Sequence, residues 1–139
     1  MKMQLKSMLL LLGVSFFVIV GFKNADQPTP VTIQFVYNGV AADGDVTGTF
    51  TAHGGIETSG TSEMTVNRFA NVAHCSQTLT AAEGTITILS NCQFSTMTGA
   101  WHIVNGTGAY AGIKGNGKLL MTFPGGGVFV VESYEGKVR

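Results

Sequence analysis

Hydrophobic and polar residues alternate along most of the chain after Pro30. In the first such segment Val31, Ile33 and Phe35 alternate with polar residues, and a period of two is typical of a β-strand with one buried face. Dipeptides that favour turns, such as Asn38-Gly39, separate the segments. The pattern predicts eight strands, over residues 31–37, 45–52, 59–66, 74–80, 85–91, 101–105, 118–123 and 128–135.

Short strands at regular spacing predict an all-β protein. The 16 threonines agree with this, because β-branched residues suit strands. About eight antiparallel strands are enough to close a barrel and so to remove exposed sheet edges. We therefore expect one antiparallel barrel domain, with a β-sandwich as the alternative.

The N-terminus has the pattern of a secretory signal peptide. Lys2 and Lys6 precede an uncharged apolar run over residues 8–22, which is shorter than the roughly 20 residues that a membrane span needs. The sequence predicts a leader over residues 1–25 and a domain over residues 26–139, secreted to the extracellular space or the periplasm. A retained N-terminal membrane anchor is the alternative.

Removal of this leader changes the charge of the protein. The whole chain has a net charge of zero, whereas residues 26–139 keep five basic and eight acidic residues and carry −3. A net negative domain lacks the basic surface typical of nucleic-acid binding. It also argues against an anionic membrane surface as partner of the mature form.

Cys75 and Cys92 are the only cysteines. An even number in an exported protein indicates a disulfide. With Glu83-Gly84 as a two-residue turn, Ala82 lies opposite Thr85 and Cys75 lies opposite Cys92. Two buried free thiols are the alternative.

Residues 106–111 match the G-x-G-x-x-[G/A] pattern of dinucleotide-binding turns. That interpretation requires a helix directly afterwards, and the glycines at positions 112, 115 and 117 disfavour one. We therefore expect a structural turn motif, with Tyr110 as a packing anchor. Its residues are Gly106, Gly108, Tyr110, Gly112 and Gly115.

The segment 101–117, WHIVNGTGAYAGIKGNG, resembles the signature of barrels related to plant allene oxide cyclase and dirigent proteins. It is more similar still to small secreted bacterial proteins with an allene-oxide-cyclase-like barrel, some of which also carry a cysteine pair around an upstream hairpin. Asn105 departs from the plant motif, which has glycine there, and Ala100 departs from the small polar residue of the bacterial one. The resemblance implies an eight-stranded, calycin-like antiparallel barrel. It places no catalytic residue of the cyclase on a position of this sequence.

Few residues suggest chemistry. No histidine has the spacing of a metal site, so neither a metal nor a cofactor is expected. Glu132 lies among apolar residues of the last strand, and an inward carboxylate there would have a raised pKa and could act as acid, base or ligand contact. A register shifted by one residue or a position at the rim is the alternative, and it is the one that the pattern favours. Together with Trp101 and Tyr134 it forms the candidate ligand-binding set.

The sequence favours binding of a small apolar ligand or an extracellular partner without catalysis. The alternatives are a cyclase- or dirigent-like isomerase that acts on an apolar molecule in the barrel, and a structural or adhesive component of the cell envelope anchored by residues 8–22. A roomy, lined cavity would favour binding or catalysis, whereas a lumen filled by Phe35, Phe50, Trp101 and Met121 would count against both.

Overall fold

The computed structural model describes residues 27–139, so the predicted leader lies outside the described residues. Eight β-strands account for most of this part of the chain. They are β1 (Thr29–Val40), β2 (Val46–Gly54), β3 (Thr58–Phe69), β4 (Val72–Ala81), β5 (Gly84–Gln93), β6 (Thr98–Gly106), β7 (Gly115–Thr122) and β8 (Val130–Val138).

The strands form a closed antiparallel barrel. Each strand pairs with the next one in sequence, and β8 returns to pair with β1. This confirms the predicted barrel and excludes the sandwich. All eight predicted strands are present, although most extend several residues beyond the alternating segments, because backbone pairing continues where the hydrophobic pattern ends.

Alternate side chains fill the lumen, as expected for a barrel of eight strands. Phe35 on β1, Phe50 on β2 and Trp101 on β6 are each at most 2% exposed. The other large, fully buried side chains are Tyr37, Tyr134, Ile33, Leu79, Ile86, Ile88, Gln77, Glu132 and Cys92.

A glycine of β8 makes room for the tryptophan. Gly117 on β7 lies opposite Gly136 on β8, and Trp101 pairs with Gly117 on the other side. A Cβ atom added to Gly136 would lie 2.7 Å from Cζ2 of Trp101, which is closer than carbon atoms approach without repulsion. Gly136 thus makes room for the indole, whereas a Cβ atom on Gly117 would meet the backbone of Glu135 and Gly136.

The barrel has two distinct ends. The near end carries the start of β1 and the turns that join β2 to β3, β4 to β5 and β6 to β7; the far end carries the other four turns. Within residues 27–139, no helix has the length and hydropathy needed to cross a membrane.

The predicted cysteine bridge is wrong. The structure has Ala81 opposite Gly84, so Cys75 faces Ser90, and Cys92 lies two residues along the same inward face. Such diagonal neighbours are about 7–8 Å apart, beyond the reach of a disulfide, and both cysteines are free, buried thiols.

The register error has a physical cause at Gly84. A Cβ atom there would clash with the carbonyl oxygen of Thr107, so this glycine allows the β6–β7 connection to approach β5 closely. The two-residue turn is instead formed by Ala82 and Glu83. The sequence shows a glycine at position 84, but it does not show that the close approach of Thr107, rather than the turn, requires it.

Candidate functional site

Four polar side chains meet inside the barrel. They are Gln77 on β4, Ser90 on β5, and Glu132 and Tyr134 on β8, and we refer to them as the interior cluster. Each lies on the inward face of its strand, and Glu132 is 0% exposed. Glu132 lies between Phe35 of β1 and Met121 of β7 in the strand pairing.

A network of hydrogen bonds joins these four side chains. The amide nitrogen of Gln77 donates to Glu132 Oε2 at 2.9 Å and also contacts the Tyr134 hydroxyl. The Tyr134 hydroxyl lies 3.1 Å from Glu132 Oε2 and 2.9 Å from Ser90 Oγ, to either of which it can donate. Ser90 Oγ in turn donates to Gln77 Oε1 at 3.3 Å.

One carboxylate oxygen is left out of this network. Among residues 27–139, Glu132 Oε1 has no hydrogen-bond partner although it is buried. Burial penalises the ionised form of a carboxyl group, and it raises the pKa of Glu132 to about 7. The hydrogen bonds from Tyr134 and Gln77 lower this pKa, but by less than burial raises it. Glu132 therefore exchanges its proton near neutral pH.

Other titratable groups around Glu132 stay neutral. Tyr37 shares a 2.9 Å hydrogen bond with Ser62, and burial, followed by the nearby Glu132 charge, raises the pKa of its hydroxyl. Burial and then Glu132 likewise raise the pKa of the Cys75 thiol to about 12. The pKa of the Tyr134 hydroxyl is raised for the same two reasons. Glu132 is thus the group in the lumen that titrates near pH 7.

Aromatic rings occupy the space beside the interior cluster. Tyr134 stacks on Trp101 with ring centroids 5.7 Å apart and meets the edge of Phe35 at 4.8 Å. The Trp101 indole nitrogen donates to the carbonyl oxygen of Lys118 at 3.1 Å. These contacts fix the rings and leave the lumen filled with side chains.

The structure brings the three candidate residues Glu132, Trp101 and Tyr134 together. The sequence pattern missed Gln77 and Ser90. Both occupy inward positions of strands that otherwise alternate regularly, and a polar residue at such a position signals a buried polar partner.

A second feature lies on the outside of the near end. β6 and β7 pair only as far as His102 and Asn116, and beyond this point β6 continues beside β5 alone. The separation of the two strands opens a groove of about 650 Å³, within the usual range for small-molecule sites. We refer to it as the near-end groove.

The near-end groove combines an apolar floor with a basic rim. Ile103 and Val138 are buried core residues that line it, with Ile113 packed beside them. Its charged and polar lining residues are Lys114, Lys137, Arg139, His102, Asn105 and Asn116, and none of the described lining residues is acidic.

The glycine motif forms one wall of this groove. Gly106, Gly112 and Gly115 line it, while Gly108 and Tyr110 bound one turn of 3-10 helix between β6 and β7. Gly112 has a φ of +78°, a conformation that favours glycine. The Tyr110 hydroxyl donates to Glu83 Oε2 at 3.2 Å, which ties the connection to the neighbouring turn.

Asp43, Asp45 and Glu63 form the one group of potential metal ligands found in the described part of the chain, with ligand atoms within 4.8 Å of one another. Asp45 already accepts a hydrogen bond from Thr65 at 2.8 Å. Exposed carboxylates of this kind are common without a bound ion. The group indicates a local negative charge at the far end.

The far end is also the more apolar end. Four exposed hydrophobic side chains lie in or beside its turns: Val40, Phe69, Phe123 and Phe129. Phe69 is 79% exposed. The two ends therefore differ in character, with basic residues around the near-end groove and apolar and acidic residues at the far end.

Comparisons of the chain with protein-family models, with curated proteins and with solved structures found no match. What stands of the resemblance described above is the eight-stranded antiparallel barrel.

Proposed function

We propose that this protein is an exported, non-catalytic binding barrel that recognises its ligand or partner on its outer surface. The observation that carries the proposal is the near-end groove of about 650 Å³ on the outer surface, since the filled lumen counts against a site inside the barrel. Phe35, Phe50 and Trp101 are at most 2% exposed, and Met121 is 5% exposed. Glu132 is itself 0% exposed, so a substrate reaches its carboxyl group only if side chains around it move.

Export is supported by the apolar run over residues 8–22 and the basic residues before it. Cleavage after Ala25 would release a protein that begins at Asp26. A retained anchor would instead attach the barrel by its near end, where β1 begins.

The alternative is a cyclase- or dirigent-like isomerase, related to the family that the 101–117 segment resembles. One observation favours it: a carboxyl group with a pKa of about 7 and an unpartnered oxygen is suited to general acid–base chemistry. This function requires an open state of the barrel in which Trp101 or Tyr134 leaves the lumen.

The single tryptophan allows a direct test of these alternatives. Protein purified from the culture medium of its own host is examined by native mass spectrometry and by ¹H–¹⁵N NMR. We expect a mass that begins at Asp26. We also expect the Trp101 indole N–H signal to keep its position when copurified small molecules are removed.

The matched control follows a second indicator of the lumen, the Tyr134 ring signals, before and after the same treatment. A copurified molecule whose removal shifts both Trp101 and Tyr134 would show that the lumen is the binding site and overturn the proposal. A full-length mass would overturn export by cleavage.

A further inference from the structure

We propose that the near-end groove binds an organic anion, a molecule with an apolar body and a carboxylate, sulfonate or phosphate group. This inference rests on the proposed function and names the ligand class for the outer surface. The groove has an apolar floor, which suits the apolar body of such a molecule, and three cationic side chains, which suit its anionic group.

The charge of the near-end groove is opposite to that of the domain. Lys114, Lys137 and Arg139 are three of the five basic residues in residues 26–139, whose net charge is −3. All three line one groove that has no acidic residue among its described lining. Because the cations of a negatively charged domain are concentrated in this groove, the groove is where binding of an anion is favoured.

These cations are free to bind an external anion. Within residues 27–139 the one ion pair joins His53 to Glu57, so neither lysine nor Arg139 is neutralised by a described carboxylate. Their backbones are fixed, because Lys114 and Arg139 exchange N–H···O hydrogen bonds of 3.0 and 2.9 Å. The rim is therefore charged and held in position by the sheet.

The floor supplies the second half of the recognition. Ile103 is 8% exposed and Val138 is 4% exposed, so the groove reaches the side chains of the core. His102, Asn105 and Asn116 add hydrogen-bonding groups at the rim. An inorganic anion would use the rim alone, whereas an organic anion also covers the apolar floor.

The glycine motif is what builds this shape. A Cβ atom on Gly106 would clash with the carbonyl oxygen of Tyr110, and one on Gly115 would lie 2.7 Å from Val138. Glycine at these positions allows the β6–β7 connection to pack closely against Tyr110 and Val138, and neither glycine has a side chain that would fill the groove. The motif thus has a binding role in addition to its structural one.

The test uses two fluorescent probes with the same apolar body. 1-Anilinonaphthalene-8-sulfonate carries a sulfonate, and N-phenyl-1-naphthylamine lacks it. We expect the sulfonate probe to bind the protein more tightly than the neutral probe. Its affinity should fall between 50 and 500 mM NaCl, because salt screens exposed charges.

The variant Lys114→Gln/Lys137→Gln/Arg139→Gln should weaken binding of the sulfonate probe about tenfold, since three exposed charge contacts are lost. Binding of the neutral probe should not change. Lys118→Gln is the matched control, because Lys118 is an exposed cation of β7 outside the groove lining; it should leave both affinities unchanged.

Equal affinity of the triple variant and the unaltered protein for the sulfonate probe would overturn the inference and place that binding elsewhere, for example on the apolar far end. The Trp101 indole signal, followed during the same titration, separates this from failure of the proposed function. A shift of that signal on addition of either probe would place the probe in the lumen and overturn both proposals.

Discussion

The interior cluster and the near-end groove differ in solvent access, in charge and in what holds their side chains. In the interior cluster, Glu132 is surrounded by aromatic rings and bonded to Gln77 and Tyr134. In the near-end groove, Lys114 and Lys137 are exposed. Ionisation of Glu132 in the interior cluster therefore carries a large free-energy penalty from burial, whereas the exposed lysines of the groove are charged with little penalty.

The difference separates stability from binding. Removing a group from the interior cluster changes packing and desolvation, so it should alter the free energy of unfolding. Removing a charge from the groove leaves the core intact, so it should alter affinity and change the free energy of unfolding only slightly. Substitutions in the two regions test this separation.

Replacement of Trp101 by alanine should have the largest effect. The indole is 1% exposed, stacks on Tyr134 and fills the space above Gly136, so its loss leaves a cavity in the lumen. We expect the free energy of unfolding to fall by about 3–5 kcal/mol, measured by urea denaturation followed by circular dichroism. A loss below about 1 kcal/mol would show that the lumen is not tightly packed.

Replacement of Glu132 by glutamine should change how stability depends on pH. The folded-state pKa of Glu132 is about 7, above the ordinary value of 4.5. Between these values the folded protein keeps a proton that the unfolded chain releases. The stabilising effect of the protonated form is therefore complete below about pH 4.5 and is lost as the pH rises through 7.

For the unaltered protein this loss should amount to about 3 kcal/mol between pH 4.5 and pH 8. Glu132→Gln should remove most of it and be the more stable protein at pH 8, in urea denaturation at both pH values. Glu135→Gln is the control, because Glu135 is exposed on the same strand. A pH dependence that survives in Glu132→Gln would mean that another group causes it.

The sequence predicted the barrel because its main signal, alternation of apolar and polar residues, is strong and local. It placed Glu132 among residues that share a face, and β8 does turn it inward. It failed where a glycine admits two explanations, since Gly84 was interpreted as a turn residue and instead contacts Thr107. The near-end groove was not predicted, because it brings together residues that are distant in sequence, such as Lys114 and Arg139. It lies where the pairing of β6 with β7 ends, and the sequence pattern does not show that point.

Replacement of Cys92 by alanine tests the corrected pairing of β4 with β5. Loss of one buried sulfur should lower the free energy of unfolding by about 1 kcal/mol, whereas loss of a native disulfide typically costs 2–5 kcal/mol. The unaltered protein should also unfold at the same urea concentration with and without a reductant. A reductant-dependent midpoint would restore the bridge to Cys75.

The groove substitutions should have the smallest effect on stability. Lys137→Gln removes one exposed charge that has no ion-pair partner among the described residues, so the free energy of unfolding should change by at most about 0.5 kcal/mol. Any change should be an increase in this free energy, because the substitution removes the repulsion between Lys137 and the like charges of Lys114 and Arg139. Urea denaturation at 50 mM and 500 mM NaCl measures this, and the gain should shrink at the higher salt concentration. A loss of more than 1 kcal/mol would show that Lys137 supports the fold, and the groove would then belong with the interior cluster as a structural feature.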